Sequence, residues 1–171
     1  MKVLVTYMTQ TGNTEKVAEA IHHEITVEKE IKPLQQVSSL EGYDLAFVGF
    51  PIVRFGVDAS VTQFLAQHAP NKKIVLFATH AAPEEMPEVQ TWLAPAVEAA
   101  SKAELVGLFH CQGALSPQIK AYMLQMGDPQ LRAWAQSDNS QGQPDETRLA
   151  RARTFAREIM GKVCGAWTGA S

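Results

Sequence analysis

The chain has 171 residues, 46% of them hydrophobic, with a formal net charge of −3 and a pI near 5.9. That length buries one sizeable core and leaves no room for a cofactor domain beside a separate substrate domain. Mild acidity argues against a nucleic-acid binder, which would carry a basic stripe, and no apolar run approaches the ~18 residues of a membrane span.

Chain order begins with Met1-Lys2 leading straight into an apolar run, Val3-Leu4-Val5-Thr6-Tyr7, so no leader is expected and the cytoplasm is the default compartment. Thr9-Gln10-Thr11-Gly12-Asn13-Thr14 follows, and then Val17, Ala18, Ile21 and Ile25 recur at helical spacing. A strand that ends in a hydroxyl-rich loop and opens a helix offers unpaired backbone N–H groups to an anion, aided by the helix dipole. Gly12 permits close approach, and each threonine adds an O–H donor. The loop lacks the second Gly and the Lys-Ser or Lys-Thr of a triphosphate loop. It also lacks the three glycines that admit a pyrophosphate. One terminal phosphate of a mononucleotide fits it; the bland alternative is a threonine-rich turn before a capped helix.

Further apolar runs at Leu45–Phe50, Ile74–Ala78 and Leu105–Phe109 read as strands buried on both faces. Thr26 to Ile31 alternates apolar and charged residues and suits an edge strand. Between them, Val61-Phe64-Leu65, Val89-Trp92-Leu93-Val97 and the segment Arg148 to Ile159 read as helices. Alternating strand and helix with right-handed crossovers gives an α/β fold, a doubly wound five-stranded parallel sheet of order 2-1-3-4-5. Ligands of such sheets bind beyond the carboxyl ends of the strands at the switch point, here the loops after Tyr7, Phe50 and Ala78.

Tyr7-Met-Thr-Gln-Thr-Gly-Asn-Thr-Glu15, on the first strand and helix, resembles the FMN phosphate loop of flavodoxins, whose pattern is Ser/Thr-x-Thr-Gly-x-Thr. The similarity continues through the alternating elements, with Tyr43-Asp44-Leu45 entering the third strand, and is least marked from Ser116 to Gln143. The resemblance implies FMN as cofactor, with Thr9, Gln10, Thr11, Gly12, Asn13 and Thr14 around its phosphate. It places the second loop, Pro51, Ile52, Val53, Arg54, Phe55 and Gly56, against the isoalloxazine ring. The third loop, Thr79, His80, Ala81 and Ala82, falls near the pyrimidine edge. Flavodoxins usually stack a Trp or Tyr on the flavin from the second loop, and that position is Val53; Phe55 is either the stacking face or a core residue under the following helix. Arg54 is a solvated charge or a neighbour of the reducible edge. Where the family often has a second stacking aromatic, the third loop has none, and His80 reads more readily as a surface residue than as a proton donor.

Cys111-Gln112-Gly113 ends the fifth strand on the same rim; a buried cysteine usually packs, and nothing nearby in sequence makes Cys111 a redox partner. Cys111 and Cys164 show no metal-ligand or disulfide spacing. Ser116 to Ala135 holds two helical patterns, anchored by Tyr122, Met123, Met126, Leu131 and Trp134. A polar connector runs to Pro144-Asp145-Glu146, which opens the last helix, and Trp167 is a candidate anchor for the tail. The expectation is thus a single domain over 1–171 with an insertion at about 116–143. Its leading function is FMN-based electron transfer between redox partner proteins, a reductase and an acceptor. The alternatives are an FMN-dependent reductase of a quinone or other small acceptor beneath the insertion, and a flavin-free interaction module on the same fold.

Overall fold

A computed structural model of the chain describes residues 1–167, without the side chains of 166 and 167. Trp167, the candidate tail anchor, therefore has its side chain outside the described residues. Five parallel strands, β1 (Lys2–Tyr7), β2 (Glu28–Pro33), β3 (Leu45–Pro51), β4 (Lys73–His80) and β5 (Glu104–Gln112), form one sheet in the order 2-1-3-4-5. The helices are α1 (Asn13–Glu24), α2 (Ala59–His68), α3 (Glu88–Ala99), α4 (Pro117–Gln125), α5 (Pro129–Gln136) and α6 (Glu146–Trp167).

Two apolar layers hold the sheet. Val3, Val5, Phe47, Val75 and Phe77 face α1 and α6, while Leu4, Val48, Phe50, Leu76 and Ala78 face α2 and α3. Alternate residues of one strand thus serve opposite layers, which is why the central strands read as continuous apolar runs. Phe47, Phe50 and Phe77 are fully buried, each stabilising the fold by roughly 1.5–3 kcal/mol through burial. β2 pairs only with β1, and its residues are half-buried or exposed, as an edge strand requires.

The strands differ from expectation mainly at their carboxyl ends. β2 lies two residues later than Thr26 to Ile31, at Glu28–Pro33. β4 continues through Thr79 and His80 because these pair with Cys111 and Gln112 of β5, so both belong to the strand and the third loop starts at Ala81. In the 116–143 segment both helical patterns form, but Tyr122 is 64% exposed and anchors nothing, since it lies on the outward face of α4, a helix without a buried residue. The last helix starts where its acids predict: the Asp145 carboxylate accepts the Arg148 N–H at 3.0 Å, capping the first turn. Among the described residues no helix is long and apolar enough to cross a membrane.

Candidate functional site

β1 and β3 are adjacent in space, and the chain leaves them toward opposite layers. A crevice therefore opens at their carboxyl ends. The cleft there is lined by Gln10, Thr11 and Asn13 from the first loop, Pro51, Ile52 and Val53 from the second, and Thr79, His80 and Ala81 at the end of β4. All three segments singled out in the sequence thus meet. Backbone bonds prolong the ladder into the loops: Met8 N–H donates to Gly49 O at 2.9 Å, and Ile52 N–H to Thr79 O at 2.8 Å.

In the first loop Gly12 precedes α1 with φ 88°, a left-handed conformation that favours glycine. No side chain caps the helix, and the N–H groups of Asn13, Thr14 and Glu15 have no acceptor among the described residues. Those donors, added to the positive end of the helix dipole, suit a phosphate-sized anion. The threonines divide the work. Thr9 Oγ1 accepts the Gly12 N–H at 3.0 Å and shapes the turn. Thr11 is exposed beside the cleft. Thr14 is fully buried, its hydroxyl 2.9 Å from that of Thr79, so it ties the helix to β4 and contributes its backbone N–H to the loop. Tyr7 OH donates to Glu15 at 2.7 Å and fixes α1 against β1; burial and that bond push the Tyr7 phenol up to about 12.

The second loop closes as a two-residue turn. Val53 N–H donates to Gly56 O at 2.9 Å, Gly56 N–H returns to Val53 O at 3.1 Å, and Arg54 and Phe55 between them have φ of 51° and 61°. Two consecutive left-handed residues make this a type I′ turn, which ordinarily takes Asn-Gly. The strain swings Phe55 away from the cleft: its ring lies 5.3 Å from Trp92 and 5.2 Å from Trp134, and it is 46% exposed. Phe55 is therefore no core residue under α2, and it does not line the cleft. Arg54 points to solvent. Arg54→Asn is expected to raise stability by about 1 kcal/mol through relief of left-handed strain, seen as a higher urea midpoint. An unchanged or lower midpoint would show that contacts of Arg54 offset the strain.

His80 is not a surface residue. It is 4% exposed, because its side chain follows the strand alternation onto the α3 face, where His110 of β5 meets it. His80 Nδ1 lies 2.9 Å from the Ala82 carbonyl, which can only accept, so Nδ1 carries the proton. Neutral His80 then presents a bare Nε2 to His110 Nδ1 at 2.9 Å, and His110 donates. Burial first, then the neighbouring His110, push His80 down to about 4, against the Ala82 and Glu84 contributions. Burial also lowers His110. The pair is neutral at pH 7, which removes His80 as a resident acid at that pH. Cys111 packs as expected: it is fully buried, and burial pushes its thiol up to about 12.

Three features go beyond the sequence reading, which places Gly113 on this rim but assigns it no role. Gly113–Ser116 forms a fourth wall of the cleft, where Asn13 Nδ2 donates to Ala114 O at 2.9 Å. A Cβ on Gly113 would come within 2.9 Å of the Asn13 side chain, so a larger residue there would push Asn13 out of this bond. His110 falls at an alternate position of β5, and the alternation was the available signal. The third is Glu84, which accepts from Arg148 Nε at 2.6 Å, Arg151 Nη1 at 2.7 Å and the Gln112 N–H at 3.1 Å, and so pins the third loop to the edge of β5. Burial pushes the Glu84 carboxyl up, but the bonds from Arg151, the Gln112 N–H and Arg148 together hold it below the ordinary carboxylate value. Glu84→Gln is expected to cost about 2 kcal/mol, part of the penalty for breaking a buried ion pair because Arg151 is half exposed. Chemical denaturation at pH 7 measures it, and a loss near zero would mean the loop is held by packing alone.

A flavodoxin domain model matches residues 4–157. A flavodoxin-like domain-containing protein, BilS, of Clostridioides difficile strain CD3 is 34% identical, over 95% of this chain and 98% of that protein. Among solved structures, oxidised flavodoxin 2 from Bacillus cereus superposes with a TM-score of 0.60 at 21% identity, covering 95% of this chain and 99% of that one. A flavoprotein in complex with FMN from Lactobacillus acidophilus NCFM gives 0.51 at 18% identity, over 64% of this chain and 92% of that one. With an uncapped, glycine-led loop at the head of α1, a switch-point cleft and these matches over most of its length, the chain belongs to the flavodoxin family.

Proposed function

We propose that the protein binds FMN in the switch-point cleft and passes electrons between redox partner proteins. The observation that carries this reading is the uncapped start of α1 behind Gly12, with its unpaired N–H groups and the Thr11 hydroxyl at the cleft. A phosphate monoester satisfies those donors without a cation in the loop. In this reading Ile52 and Val53 lie on one side of the ring and Ala81 on the other, so aliphatic contacts take the place of stacking aromatics. The polar edge of the flavin meets backbone groups near Thr79 and Ala81. The flavin, when bound, supplies the redox chemistry; the protein orients it and sets its potentials. Residues 1–171 act as one flavodoxin-like unit, with 116–143 as its elaboration.

The test is a titration of flavin-free protein with FMN and with riboflavin, followed by anaerobic reduction of the complex under visible spectroscopy. FMN is expected to bind far more tightly than riboflavin and to pass through reduced states without release. A protein that stays colourless with added FMN overturns the reading.

A further inference from the structure

Beside the cleft lies a second cavity, of about 180 Å³, between the third loop and the α4–α5 segment. Ala81 and Leu115 line both spaces, so the two adjoin. Its walls are mostly apolar, with Ser137, Asp138 and Asn139 forming a polar side: Trp92 from α3 and Trp134 from α5 stand with ring centroids 6.3 Å apart and planes at 66°, and Met123 lies along α4. Phe55 braces both indoles from outside. The strained turn at Arg54-Phe55 is what delivers that ring, so backbone strain in the second loop is offset by a contact that stiffens the walls of this cavity.

We infer that this cavity is a binding site for a flat, largely apolar molecule of one or two fused rings bearing a carbonyl oxygen, of which a quinone is the simplest. Size is the first argument: a closed apolar cavity of about 150 Å³ admits a benzene-sized ring, and this one is larger and open to solvent on one side, where a second fused ring extends. Polarizability is the second, because two indoles and the thioethers of Met86 and Met123 favour an aromatic guest over a flexible aliphatic one. The third is polar. Asn139 lines the cavity, and its Oδ1 accepts from Gln112 Nε2 at 2.8 Å, which assigns the amide's orientation. Asn139 is an exposed residue, so its Nδ2 group at the solvent side of the cavity is free to exchange water for a ligand carbonyl. Asp138, the charged wall residue, is already engaged by Lys120 and Ser140, so it makes no demand for a cationic ligand.

The use of such a guest as electron acceptor rests on FMN occupying the adjoining cleft; the binding site itself does not. Isothermal calorimetry with menadione, on the flavin-free and on the FMN-treated protein, separates the two. One equivalent is expected to bind in both samples, with Kd raised at least tenfold by Trp134→Ala, which opens a wall, and by Met123→Trp, which fills the space. Circular dichroism checks that each variant folds, and if Trp134→Ala does not, Met123→Trp carries the test. No binding, or binding that neither folded variant weakens, overturns the site. Menadione binding in a protein that fails to take up FMN leaves the site standing and removes the flavin reading instead.

Discussion

Replacing Thr9 and Thr11 together by alanine is expected to weaken FMN binding by roughly 10²- to 10⁴-fold while leaving riboflavin binding nearly unchanged. In the proposed complex the Thr11 hydroxyl, bonded to a charged phosphate, contributes about 1.5–3 kcal/mol, loss of the turn held by Thr9 costs about as much again through the helix donors, and about 1.4 kcal/mol is tenfold in affinity. Thr9 adds an indirect effect, because its Oγ1 accepts the Gly12 N–H and holds the turn in which the helix donors converge. Thr14 is the wrong target for this experiment: its buried hydroxyl is paired with Thr79, so Thr14→Ala would disturb the junction of α1 and β4 as well as the loop. Fluorescence titrations with both flavins decide the matter. Equal losses would mean that this loop holds no phosphate.

The sheet order and the first loop were legible because each rests on local or periodic signals. Runs such as Phe47–Phe50 are apolar at every position because they face two layers, and a parallel sheet is the architecture that demands this. Gly12 announces itself for a similar reason, since its left-handed φ is a single-residue property. The ends of β4 and β5 were less visible, as Thr79, His80 and Gln112 are polar residues held in strand geometry by partners some thirty residues away. Glu84 was invisible in the same way: a carboxylate after a Pro reads as a solvated loop charge until α6 brings Arg148 and Arg151 to it. Phe55 shows the limit most plainly. Its neighbours in sequence suggest a ring-facing loop, but its partners Trp92 and Trp134 come from two other segments, and only the assembled fold decides which aromatic surface it joins.

Acidification is expected to destabilise the protein through His80 before its carboxylates titrate. The unfolded side chain takes up a proton near 6.5, whereas the folded one, buried against His110, resists until about 4. Well above pH 6.5 both states are neutral and His80 contributes nothing to the pH dependence. Between pH 6.5 and about 4 the unfolded state takes up the proton first, so stability falls as pH falls, and the loss is complete well below pH 4. At about 1.4 kcal/mol per pH unit, the gap from 6.5 to about 4 amounts to about 3 kcal/mol. His110, lowered in the same direction, adds to the slope in the same region. Glu84, Arg148 and Arg151 surround the pair, and Glu84 loses its charge, with the bonds that depend on it, only below the ordinary carboxylate range. Urea unfolding from pH 7.5 to pH 4 is therefore expected to steepen below 6.5 in the native protein. In His80→Asn, which keeps a donor for the Ala82 carbonyl but cannot titrate, most of that slope is expected to vanish. Parallel pH profiles for the two proteins would show that His80 becomes protonated in place, with the imidazolium held by Ala82 and by a His110 turned to accept its second N–H.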